Sequence, residues 1–134
     1  MKTILLVDDD QPLRTLLGLA LRKSGYCVIE ANSGVAGLEL AVQRLPDLIL
    51  SDVDMEGGDG ASLLREIRRD PVLKSRQVVL MTGRPDLLTP RKGMEAGADD
   101  FLEKPFSLQA LLSCVQARFS RDSLNWLREE QVAA

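Results

Sequence analysis

Histidine is absent from all 134 residues. That gap excludes Ser-His and Cys-His nucleophile pairs, histidine metal ligands and any phosphohistidine formed on this chain. Cysteine is scarce: Cys27 and Cys114 stand far apart, without metal-site spacing, and read as buried thiols in a reducing compartment. No apolar stretch approaches the ~20 residues that span a bilayer. The opening MKTILLVDDD ends its short apolar run in three aspartates, which a secretory signal does not tolerate. A cytoplasmic protein without membrane contact is expected. Positive charge is in deficit too, with Lys+Arg 17 against Asp+Glu 20 and a net charge of -3, so there is no basic footprint for nucleic acid. Chemistry on this chain has to run on carboxylates, a lysine and hydroxyls.

What is present is 45% apolar and 28% charged, the balance of a globular domain with one core. The apolar runs ILLV (4 to 7), YCVI (26 to 29), LILS (48 to 51), QVVLM (77 to 81) and a short segment at 99 to 102 are strand candidates. They are mostly apolar throughout, as strands buried on both faces read. Helical patterns lie between them, from Pro12 to Lys23, Gly34 to Leu45, about Ala61 to Arg69 and about Pro90 to Ala96; a last helix opens at Ser107. Asp10 before Pro12 and Thr89 before Pro90 read as helix starts, and Gly25 and Gly97 as C-caps. Strict alternation of strand and helix implies right-handed crossovers and a doubly wound α/β fold with a parallel sheet and helices on both faces. Ligands of such sheets bind beyond the carboxyl ends of the strands.

Those ends carry Asp8, Asp9 and Asp10 after the first strand, Asp52 after the third, Thr82 and Gly83 after the fourth, and Lys104 with Pro105 after the fifth. Three readings compete for the stretch SDVDMEGGDG at 51 to 60. A calcium loop would need a bidentate Glu at its twelfth position, which here is Leu63. A haloacid-dehalogenase-like phosphatase shares the aspartate nucleophile, but its acid pair belongs on the first strand. The third reading makes Asp52 a phosphate acceptor. Asp8, Asp9 and Asp52 crowded together repel by several kcal/mol unless a cation joins them. Hard carboxylate oxygens with room for water select Mg²⁺. The metal would neutralise phosphoryl oxygens while Asp52 attacks, with Lys104 and the Thr82 hydroxyl taking the others. Asp54 and Arg84, each two residues beyond a strand-end residue, are expected at the rim, where they could pair and obstruct water.

The series LLVDDD, LILSDVDMEGGDG, VVLMTG and FLEKPF resembles the receiver domain of two-component response regulators, similar to the single-domain chemotaxis type, over residues 2 to about 119. The resemblance implies a flavodoxin-like five-stranded parallel sheet of order 2-1-3-4-5. It implies phosphorylation of Asp52 by a histidine kinase or phosphotransfer protein. Mg²⁺ would be held by Asp8 or Asp9, Asp52 and the backbone carbonyl of Asp54. Lys104 and the Gly83 backbone amide become phosphoryl ligands, Thr82 and Phe101 the switch pair, and Lys104-Pro105 a cis peptide. It also implies a signalling module that catalyses its own phosphorylation and dephosphorylation alone. Two departures stand out: Glu56 where the family usually has proline, and Phe101 where tyrosine is frequent.

The remaining charges have plainer readings. Asp59 among Gly57, Gly58 and Gly60 is turn chemistry, Asp99 and Asp100 a polar turn, and the segment 68 to 70 a solvated helix end. In the last helix Leu108, Leu111, Leu112, Val115 and Phe119 form a core stripe, so residues 1–119 are expected as the domain and 120–134 as a helical extension or linker. That extension, with Leu124, Trp126 and Leu127, would serve a homodimer, a downstream protein partner or a fused output domain of a longer regulator or hybrid kinase.

Overall fold

The computed structural model describes residues 1–55, 60–84, 86 and 88–133, with residues 121–133 as backbone. The expectations for Glu56 and for the turn residues Gly57, Gly58 and Asp59 fall outside them. Strands β1 (Thr3–Val7), β2 (Cys27–Ala31), β3 (Leu48–Asp52), β4 (Gln77–Thr82) and β5 (Asp100–Glu103) alternate with helices α1 (Gln11–Lys23), α2 (Gly34–Arg44), α3 (Gly60–Arg69), α4 (Pro90–Glu95) and α5 (Leu108–Ala133). All neighbouring strands pair in parallel, in the order β2-β1-β3-β4-β5. The order puts β1 and β3 side by side, Val7 opposite Ser51, so the two acidic strand ends meet at the centre of the sheet.

Alternation within each strand feeds two cores. Leu5, Val7, Ile49, Val78 and Leu80 pack with Ala41 of α2 and Leu63, Leu64 and Ile67 of α3. Ile4, Leu6, Leu48, Leu50, Val79 and Met81 face the other way, onto Leu17 and Leu21 of α1 and Leu111 and Val115 of α5. Both faces of β3 are buried, which is why its sequence does not alternate. Phe119 closes the second core, its ring 5.5 Å from that of Tyr26. Among the described residues no helix is long and apolar enough to cross a membrane.

Local chemistry sets the helix limits. The Asp10 side chain accepts from Leu13 N–H and Pro12 occupies the first turn of α1, while Thr89 caps α4 in the same manner ahead of Pro90. Gly25 and Gly97, at φ +97 and +110, take the left-handed conformation that follows α1 and α4. Strand β2 starts and ends later than the apolar run YCVI: it includes Glu30 and Ala31 and leaves out Tyr26. A charge belongs in this edge strand because Arg14 and Arg22 hold Glu30 in ion pairs at 3.2 and 3.0 Å.

Two plain readings are corrected. Arg68 is no solvated helix end: its guanidinium donates to the carbonyls of Gly97, Lys74 and Arg76 and to Asp99 Oδ2. Asp99 and Asp100 are no free polar turn either. Asp99 also accepts from Val78 N–H, and Asp100 stands in β5, accepting from Cys114 Sγ. The two cysteines are free thiols, half-buried. Burial, then the Asp100 charge and hydrogen bond, push the Cys114 thiol up to about 12, which favours its protonated form.

Candidate functional site

Asp8 follows β1, and its N–H donates to Ala31 of β2 at 3.1 Å, so the residue continues the sheet for one more step. Its carboxylate is 0% exposed and accepts from Asp10 N–H at 3.0 Å. Asp52 ends β3 at 5% exposure. Lys104 comes from the far end of the chain: its N–H donates to the Thr82 carbonyl at 2.6 Å, and a cis Lys104-Pro105 bond follows. Its ammonium then reaches inward, 3.0 Å from Asp8 Oδ2 and 3.5 Å from Asp52 Oδ1. Gly83 lies alongside, where a Cβ would stand 3.8 Å from Lys104 Cβ. Gly60, at the start of α3, closes the back of the site, since a Cβ there would collide with the Asp52 carbonyl.

Burial pushes the Asp52 carboxyl up to about 6; the Lys104 charge pulls it down, the neighbouring Asp8 raises it, and the Asp54 backbone N–H pulls it down again. Burial works against the charge of Lys104 as well, yet its bond to Asp8 and the charges of Asp52 and Asp8 outweigh that and raise its pKa. Oxygens of Asp8, Asp9 and Asp52 lie within 4.8 Å of one another. Two of these carboxylates are buried and Asp9 is exposed, so the cluster offers hard oxygen donors with one side open to water. That donor set fits Mg²⁺.

The residues singled out from the sequence converge unevenly. Asp8, Asp9, Asp52 and Lys104 form one cluster, with Thr82 buried beside it at the end of β4. The Thr82 hydroxyl accepts from Arg84 N–H at 2.9 Å and lies 3.4 Å from Asp54 Oδ2. Phe101 is placed under α4, its ring filling the notch at Gly93. Arg84 does not reach Asp54: its guanidinium lies 3.5 Å from Asp86 Oδ2 on the exposed loop, because Asp54 is turned toward Thr82. Sequence reasoning missed Arg14, which donates to the Asp8 carbonyl at 2.7 Å, and Glu30, which holds Arg14. The signal was available in the lone charge interrupting the second strand.

Residues 4–116 match the response regulator receiver domain family. The chain is 36% identical over 120 residues to the phosphate regulon transcriptional regulatory protein PhoB of Pseudomonas aeruginosa, covering 90% of this chain and 52% of that protein. It is 41% identical over 107 residues to histidine kinase P4 of Formosa agariphila, covering 80% of this chain and 8% of that one. Among solved structures, the chemotaxis response regulator CheY4 of Vibrio cholerae superposes with a TM-score of 0.81 at 29% identity, over 87% of this chain and 98% of the other. The chain spans about half the length of the first curated regulators it matches. The phosphatase reading is left without support. A match over nearly the whole sheet, with the acid cluster and the lysine meeting at its carboxyl edge, decides the family: the chain belongs to the response regulator receiver domains of two-component signal transduction.

Proposed function

We propose that Asp52 is the phosphoacceptor, taking one phosphoryl group from a histidine kinase or a phosphotransfer protein. One observation carries this reading: Asp52 is the buried carboxylate at the end of the central strand, flanked by Asp8 and Asp9 and 3.5 Å from the Lys104 ammonium. An Asp52 oxygen attacks phosphorus in line, while the phosphorus–nitrogen bond of the donor breaks and its electron pair stays with the imidazole. With its pKa pushed up only to about 6, the carboxylate is mostly ionised at pH 7. Lys104 and the Gly83 backbone amide receive phosphoryl oxygens. Asp8, Asp9, Asp52 and the backbone carbonyl of Asp54 would hold Mg²⁺, which when bound neutralises charge on the phosphoryl group.

The chain acts as a signalling module whose catalysis is confined to gaining and losing its own phosphoryl group. Thr82 turns its hydroxyl from Asp54 toward the new phosphoryl oxygen, and Phe101 shifts from its seat against Gly93 in response. Residues 120–134 extend the 1–119 domain, as a helix through Ala133, and pass the change to a downstream partner, a fused output segment or a second copy. The helical backbone that runs on to Ala133, beyond the family match, supports this. Free thiols accord with a cytoplasmic setting.

A small phosphodonor with Mg²⁺ should add one phosphoryl group, read by mass spectrometry, and both Asp52→Asn and metal removal should abolish it. Label retained in Asp52→Asn would reassign the acceptor. For the extension, light scattering on the intact chain and on one cut after Phe119, with and without beryllofluoride, tests self-association; equal monomeric masses throughout would remove the homodimer.

A further inference from the structure

The turn between β1 and α1 carries three consecutive aspartates, two of which belong to the acid cluster. Like charges so close drive a flexible turn apart, so something must fix the backbone that presents them. Three observations identify it. Arg14, in the first turns of α1, donates from one guanidinium nitrogen to the Asp8 carbonyl at 2.7 Å and from another to Glu30 Oε1 at 3.2 Å. Glu30 is held from its other oxygen by Arg22, at 3.0 Å. Gly18 leaves the room this needs, since a Cβ there would stand 3.1 Å from the Arg22 guanidinium and 3.4 Å from Glu30. The Arg14 side chain is 14% exposed, and β2, which carries Glu30, is locked to β1 with Leu6 opposite Glu30.

We propose that Arg14, oriented by Glu30, is a positioning residue for Mg²⁺: it clamps the Asp8 carbonyl to the edge strand and so holds the acid-bearing turn in metal-binding geometry. Arg14 touches neither metal nor phosphoryl group. The planar fork of a guanidinium serves both acceptors at once, which a lysine ammonium on a flexible stem does not reproduce. The inference rests on the reading of the acid cluster as the Mg²⁺ site.

Charge and geometry make opposite forecasts. Deleting a cation beside clustered carboxylates, by charge alone, tightens Mg²⁺ binding. Losing the clamp weakens it, by about tenfold if the effect matches outer-shell partners of other metal sites. Calorimetric titration of Mg²⁺ alone into the full native chain, Arg14→Ala and Arg14→Lys separates the two, with circular dichroism confirming the fold. Both variants should bind about tenfold more weakly, including Arg14→Lys, which keeps the charge. Native-like or tighter binding by folded Arg14→Ala overturns the proposal; if that variant does not fold, unchanged affinity in Arg14→Lys overturns it. A native chain that takes up no Mg²⁺ overturns the site reading and the clamp with it, whereas native uptake with unchanged variants overturns the clamp alone.

Discussion

The Lys104 ammonium is bonded more closely to Asp8, at 3.0 Å, than to Asp52, at 3.5 Å. Asp8 is fully buried, so this lysine compensates a carboxylate that Mg²⁺ would also need. Lysine and metal therefore compete for one group. Lys104→Ala should bind Mg²⁺ more tightly, by roughly fivefold, or about 1 kcal/mol, while losing most of its response to beryllofluoride. Calorimetry checks the first, and weaker Mg²⁺ binding would show that Lys104 organises the acids more than it competes for them.

Asp52 sets a pH dependence in metal-free buffer. The folded state keeps its proton up to about 6 and the unfolded chain releases it near 3.8, so between these values the folded state binds more protons. Stability attributable to this group falls as pH rises through that window. The loss at neutral pH is about 3 kcal/mol at most. Asp52→Asn lacks it, so the variant's advantage in urea unfolding with chelator should be near zero below pH 4 and fully developed by pH 7. An advantage independent of pH would contradict the assignment.

Arg68 joins the end of α3 to the turn after α4 through Gly97 and Asp99. Arg68→Ala strips several part-buried acceptors at once and should cost about 2–4 kcal/mol. Asp99→Ala added to it should cost far less than it does alone, because the two share one network. Additive losses in urea unfolding would refute the coupling.

Gly93 seats the Phe101 ring, with a Cβ placed 3.0 Å from the ring edge. Gly93→Ala should therefore displace the ring, with a stability change of about 1 kcal/mol or less as better helix propensity offsets the crowding. Methyl and aromatic NMR shifts around Phe101 should move and beryllofluoride affinity should change. An unmoved ring would free Phe101 from dependence on α4.

Arg84 and Asp54 make a contrast. The Arg84 side chain is 61% exposed and faces Asp86, so Arg84→Ala should leave stability within about 0.5 kcal/mol and phosphoryl loss nearly unchanged. Asp54→Ala, which removes the carboxylate facing the Thr82 hydroxyl, should alter that loss rate more. Decay measured by mass spectrometry ranks them, and the reverse order would restore Arg84 as the gate.

The sequence by itself determined the strand-helix alternation, the strand ends and the residues gathered there. Asp52 follows LILS and Lys104 follows FLE, and local apolar periodicity with the handedness of crossovers places both at one edge of the sheet. Caps were legible for the same local reason: Asp10 and Thr89 satisfy N–H groups three residues on. Tertiary structure alone decided the partners of three long charged side chains. Lys104 chose Asp8 across 96 positions, Arg68 chose Gly97 and Asp99 across 29 and 31, and Arg14 chose Asp8 and Glu30. A flexible side chain several bonds long can reach any acceptor within its radius, and no spacing in the sequence says which ones packing brings there. The expected Arg84–Asp54 pair failed on that ground: both residues stand near the rim, but the turn after β4 carries Arg84 toward Asp86 while Asp54 bends back to Thr82.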